Sequence, residues 1–147
     1  MPSSRLSNEL TAFLAERNPS VIATLTRDGE PHSAATWYLW DDGRVLVNMA
    51  ATRKRLAHMR RDPHVSLTVL DKDEWYRQLT LRGRVNEIAD DDGLEGIDRL
   101  ARHYTGEAYA RRQDPRVNAW IEVDSWYGWY GGAPWTGSWP SVVRRFG

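Results

Sequence analysis

Two Asp-Gly pairs set most of what this chain can become. Asp28-Gly29 and Asp42-Gly43 each separate segments rich in β-branched and aromatic residues, and Asp-Gly between such runs is a strong short-range hairpin signal. The first run is Ser20 to Thr26, the second His32 to Trp40 and the third Arg44 to Met49, so residues 20–49 are predicted to form an antiparallel meander. Strand character returns over Val65 to Leu70, breaks at Asp71-Lys-Asp-Glu74, and resumes from Trp75 through Ile88. Gly83 inside that run predicts a bulge or a close backbone approach. Val117 to Val123 is a last core strand, with Trp126 to Tyr130 as an extension.

Helical periods fall between these runs. Leu6, Leu10, Phe13 and Leu14 share a face in a segment opening at Ser7 and stopped by Pro19. Thr52 to Arg61 is a short helix with Thr52 as its cap and Asp62-Pro63 at its end. Asp90 to Asp92 place acidic residues at the start of a third helix, whose buried face is Leu94, Ile97, Leu100, Ala101 and Tyr104. A further helical piece is predicted over Glu107 to Arg112. Six or seven antiparallel strands with short flanking helices give an α+β fold class, an antiparallel barrel in one domain over residues 1–147.

Composition narrows the function. Twenty Lys and Arg balance twenty Asp and Glu, which argues against nucleic acid held by bulk charge. Without cysteine there is no disulfide framework, thiolate metal site or thiol nucleophile. Ser125 to Val143 lacks charge but holds four glycines and two prolines, unsuited to a membrane helix. With no apolar leader after Met1, the expectation is a soluble, cytoplasmic domain. The four histidines show no metal-ligand spacing, no G-x-S-x-G elbow occurs, and no protein nucleophile or general base stands out. An enzyme built this way would rely on a bound cofactor.

The candidate chemistry sits in two segments. Thr52-Arg-Lys-Arg55 opens a helix, where backbone N–H groups and the positive dipole end favour phosphate and guanidinium forks match its oxygens. Cations at that end oppose the dipole unless an anion is bound, and a solvated basic helix is the alternative. Arg60 and Arg61, in the last turn, suit the dipole and read as structural. In Ser33-Ala-Ala-Thr-Trp-Tyr-Leu-Trp40 small residues admit a flat ligand, and Trp37 and Tyr38 offer aromatic faces; plain core filling is the alternative.

The order and spacing of several short pieces resemble a known family. They are Val21-Ile-Ala-Thr-Leu25, Asp28-Gly-Glu-Pro-His32, Trp37-Tyr-Leu-Trp-Asp-Asp-Gly43, Thr52-Arg-Lys-Arg55, Met59-Arg-Arg-Asp-Pro63, Leu81-Arg-Gly-Arg-Val85, Pro115-Arg-Val117, Ile121-Glu-Val-Asp124 and Trp126-Tyr-Gly128. Together, from about Leu10 to Tyr130, they resemble the pyridoxamine 5′-phosphate oxidase-like split-barrel oxidoreductases, above all the actinobacterial branch that uses coenzyme F420. The resemblance implies a split β-barrel, a homodimer with the cofactor between subunits, and hydride transfer from reduced F420 to a small conjugated or quinone-like acceptor. FMN is the alternative cofactor, and a flavin-, haem- or tetrapyrrole-binding protein without turnover is the alternative class. It implies that Thr52, Arg53, Lys54 and Arg55 hold the phosphate, while Ser33, Thr36, Trp37 and Tyr38 line the ring system. Trp75, Tyr76 and the Trp126 to Trp129 stretch would close the site from the partner chain. His58 receives no role, and Gly131 to Gly147 has no counterpart in the resemblance.

Overall fold

A computed structural model of the protein describes residues 6–135. Ser7 opens the first helix as expected: its hydroxyl accepts from the Leu10 N–H at 3.3 Å, and α1 (Asn8–Leu14) buries Leu10, Phe13 and Leu14. The helix ends at Ala15, short of Pro19. The meander follows as β1 (Ser20–Leu25), β2 (Pro31–Thr36), β3 (Leu39–Asp41) and β4 (Arg44–Ala50). At the second turn Asp42 and Gly43 have φ of 52° and 90°, the double positive φ of a type I′ hairpin turn.

Then come α2 (Lys54–Arg61), β5 (His64–Leu70), β6 (Gln78–Asp90), α3 (Glu95–Thr105), β7 (Arg116–Tyr130) and β8 (Ala133–Pro134). The eight strands form one antiparallel sheet in the order β2-β1-β5-β6-β7-β4-β3, with β8 on β7. The two outermost strands, β2 and β3, are joined by Trp37 and Tyr38 alone. Three Cα steps of about 3.8 Å bring Thr36 and Leu39 within about 11 Å. The sheet must therefore curl until its edges nearly meet. That is the predicted split barrel.

Inside it Ile22, Val45, Val47, Leu67, Val69, Leu79, Leu81, Ile121 and Val123 form the core, and α1 adds Phe13. Leu46, Ile97, Leu100 and Ala101 are buried outside that cluster, where α3 covers β4 and β7. Gly83 meets its expectation. The β6–β7 register shifts between Arg82 and Gly83, and a Cβ there would run into the Glu122 carbonyl oxygen. No helix among the described residues is long and apolar enough to cross a membrane.

Four local expectations are corrected. The strand from His32 to Trp40 breaks at Trp37-Tyr38, because there the chain passes between the two sheet edges. The run from Trp75 starts as strand only at Gln78, since the Asp71 carboxylate takes the Asp73 and Glu74 N–H groups into a turn. The last two strand segments are one, β7, paired along its length with β6. Glu107 to Arg112 is not helical. The Asp98 carboxylate accepts the Tyr109 N–H at 3.0 Å and both Arg112 Nη groups at 2.9 and 3.1 Å, so side-chain bonds replace a helical ladder.

Candidate functional site

Two cavities of about 550 and about 750 Å³ share Ala34, Arg53, Arg55, Tyr109 and Arg116, and so make one cleft. It runs between β2, the start of α2, α3 and the 106–115 loop. Strand alternation turns Ala34 and Thr36 of β2 into it.

The smaller cavity is basic. It is lined by Arg53, Lys54, Arg55, Arg111 and Arg116, with Asp114, paired to Arg111 at 3.0 Å, as the one carboxylate among the described residues. The helix cap is Arg53 rather than Thr52, which stands one residue before it, and no side chain caps α2. The half-buried Arg55 gives Nη2 to Thr36 Oγ1 and to the Asn48 carbonyl oxygen, both at 3.3 Å, while its buried Nε has no partner. Burial, with the Arg53 and Arg116 guanidinium groups, pulls the Arg55 pKa down. The site thus holds an uncapped helix start and crowded like charges. That combination suits an anion.

Arg116 is aimed by a chain of polar contacts. Asp91 accepts the Gly96 and Ile97 N–H groups, each at 2.9 Å, and so caps α3 as the acidic run predicts. Asp91 and Asn118 then take the two Asn48 amide hydrogens, at 3.0 and 2.7 Å. The Asn48 oxygen is left to accept Arg116 Nε at 2.7 Å, and the Arg116 guanidinium lies 4.8 Å over the Tyr109 ring.

The larger cavity is aromatic. Trp37 lies parallel to Tyr104, centroids 5.4 Å apart and planes 7° apart, and meets Tyr109 edge-on at 6.3 Å. Tyr104 donates its hydroxyl to the Asn18 carbonyl at 2.7 Å, and burial pushes its pKa up to about 12, so it stays protonated. One flat wall therefore adjoins one cationic pocket.

Residues 6–130 match the pyridoxamine 5′-phosphate oxidase family. The chain belongs to that family. It is similar to an F420H2-dependent biliverdin reductase of Mycobacterium tuberculosis (strain CDC 1551 / Oshkosh), 29% identical over 103 residues, spanning 69% of this chain and 74% of that protein. A solved F420 reductase superposes with a TM-score of 0.73 at 26% identity, over 78% of this chain and 93% of its own. General Stress Protein 26 of Bacillus anthracis str. Sterne shares the fold at 20% identity and a TM-score of 0.64, over 82% of this chain and 91% of its own.

In this member of the pyridoxamine 5′-phosphate oxidase family, Thr36, Trp37, Thr52, Arg53, Lys54 and Arg55 come together around the cleft. Ser33 faces away from it, exposed on the other side of β2. Tyr38 is 1% exposed and donates its hydroxyl to the Leu14 carbonyl at 2.8 Å, so its ring fills the core, and Trp126 is likewise buried in the barrel. Trp75 and Tyr76 pair with each other at 5.2 Å on the 71–77 loop, largely exposed, and line neither of the two cavities. His58 packs against β1, its Nδ1 2.9 Å from Thr24 Oγ1 and its ring 5.1 Å from His32. Arg61 ties α2 to β1 through the Leu25 carbonyl at 3.2 Å, a structural role.

Sequence reasoning missed Asn48, Tyr109, Arg116 and Arg17. The one local signal was Arg116 after Pro115, a cation where a strand begins, and nothing nearby connects it to Arg55. Among the described residues no group of His, Asp and Glu is placed to hold a metal ion.

Proposed function

We propose that this protein is an F420-dependent oxidoreductase that passes a hydride to a small conjugated or quinone-like acceptor. One observation carries the reading: the Arg53, Arg55 and Arg116 cluster, with Arg55 Nε unpartnered, lies beside a flat Trp37–Tyr104 wall. The likeness to an F420H2-dependent biliverdin reductase and to an F420 reductase supports the choice of cofactor. The cofactor's phosphate fits the Arg53 to Arg55 turn, with Arg116 oriented by Asn48 as a further donor. When bound, the reduced deazaflavin supplies a hydride from a ring carbon.

The chain's own residues do the positioning. Arg53 and Arg55 fix the anion, and the α2 N–H groups meet it from the same side. Trp37, braced by Tyr104, gives the ring system a flat wall and keeps water from it. The working unit in this reading is a homodimer. Trp75 and Tyr76, 63% and 60% exposed, are the aromatic pair offered to a partner subunit.

Equilibrium titration of the purified protein with F420 and with FMN tests the proposal. F420 should bind more tightly, and Arg55→Ala should weaken it by about 1.5–3 kcal/mol, roughly ten- to a hundredfold. Tight FMN binding without F420 affinity would transfer the reading to FMN. If F420 binds but its reduced form is never oxidised by a panel of quinones and enones, the protein is a carrier.

A further inference from the structure

We infer that the acceptor carries an anionic group, a carboxylate on a flat conjugated ring system, and that Arg17 binds it. The inference rests on the F420-dependent reading and names the substrate class for it. Among the described residues the larger cavity is lined by four arginines and by no carboxylate. Arg53, Arg55 and Arg116 also line the smaller, basic cavity, whereas Arg17 lines only the aromatic one, beside Pro19, Trp37 and Tyr104.

The local chain explains why this cation is free. The Glu16 carboxylate reaches Arg77 at 3.7 Å, so the adjacent acid is engaged elsewhere. On the other side Asn18 is buried, donating Nδ2 to the Phe13 carbonyl at 2.9 Å and accepting the Lys72 N–H at 3.2 Å. The backbone around Arg17 is fixed, and among the described residues its side chain makes no ion pair or hydrogen bond. A free cation beside the aromatic wall that the cofactor ring covers complements a flat acceptor laid over that ring, with its charge at Arg17. A neutral quinone would leave that charge unused, and a cationic acceptor would be repelled by all four arginines. Arg17 acts in binding, so its loss falls on KM rather than kcat.

Anthraquinone-2-carboxylate and its methyl ester separate charge from ring. Both are titrated into the cofactor-free full chain by calorimetry, and both are then offered as acceptors with reduced F420. The wild type should bind the acid about fivefold more tightly than the ester, the scale of a solvent-accessible ion pair. Arg17→Glu should invert that preference, Arg17→Lys should restore it, and F420 affinity should be equal in all three proteins. An unchanged acid-to-ester ratio in Arg17→Glu would overturn the inference. So would a parallel loss of F420 affinity, which would assign Arg17 to the cofactor. Loss of F420 binding by the wild type, with the acid preference intact, would instead defeat the cofactor reading and leave the anion site standing.

Discussion

The Arg55 guanidinium illustrates how a binding residue can work against its own fold. It is half-buried beside Arg53 and Arg116, with two bonds of 3.3 Å and one orphaned Nε–H. Burying a charge without full pairing is unfavourable, so Arg55→Met should cost cofactor affinity yet not lower the melting temperature of the cofactor-free protein. Calorimetry on the two apo proteins checks this, and a clear drop in Tm would contradict it. His58 gives the pH counterpart. Burial, then His32, Arg61 and Lys54, hold its pKa below the ordinary value of 6.5, so it is neutral in the fold, with Nδ1 on Thr24. The unfolded chain takes up that proton at about pH 6.5, so the contribution of His58 is complete above that pH and lost as pH falls below it. The lowered carboxyls of Asp41, Asp71, Asp98 and Asp124 lose theirs only near pH 4 and below. Denaturant midpoints should therefore fall between pH 7.5 and 5, and His58→Gln should flatten that slope.

Among the elements, the 106–115 loop takes its form from contacts with α3. It leaves α3 at Gly106, with φ of 84°, and is latched by Asp98 to Tyr109 and Arg112. Tyr109 in turn meets Trp37 and lies under Arg116, so the latch positions both halves of the cleft. The Arg112 guanidinium beside Asp98 holds its carboxyl down at about 2, so the carboxylate stays charged at neutral and mildly acidic pH. Asp98→Asn should speed amide exchange across 106–115 by about tenfold or more while leaving β6 and β7 protected. Hydrogen-exchange mass spectrometry reads both regions at once. The predicted helix over Glu107 to Arg112 failed for the same reason: its local propensity competed with a carboxylate on another element. Gly83 is the opposite case, because an isolated glycine in a long strand announced its bulge without help. Gly83→Ala should destabilise by about 1–3 kcal/mol, since the obstacle is the Glu122 backbone and not a movable side chain.

For the molecule as a whole, Trp135 joins the far end of the sheet to the first helix. Its ring meets Phe13 edge-on at 5.1 Å, its Nε1–H reaches Glu9 at 3.0 Å, and Arg77 stacks against Phe13, Tyr130 and Trp135. Trp135→Ala should cost about 3–5 kcal/mol in urea unfolding, and Trp135→Phe, which keeps an aromatic ring, clearly less. The tail beyond Tyr130 has no counterpart in the resemblance; its residues 131–135 make a hairpin on β7, while Trp139 lies outside the described residues. The hairpin turns, the strand runs, the buried faces of α1 and α3 and the cationic start of α2 were all legible in the sequence. Each depends on residues a few positions apart, where turn chemistry and side-chain period act directly. The antiparallel barrel was legible from the strand runs, and its split form through the family resemblance. That resemblance also grouped Thr36 and Trp37 with Thr52 to Arg55, whereas the share of Arg17, Asn48, Tyr109 and Arg116 in the cleft was not legible. Trp37 points to the cleft and Tyr38 into the core because the chain crosses there from one sheet edge to the other. Arg17, Arg55, Tyr109 and Arg116 meet because the curled sheet brings β2, β4 and the start of β7 around α2 and α3. Those are long-range contacts, and no local pattern encodes them.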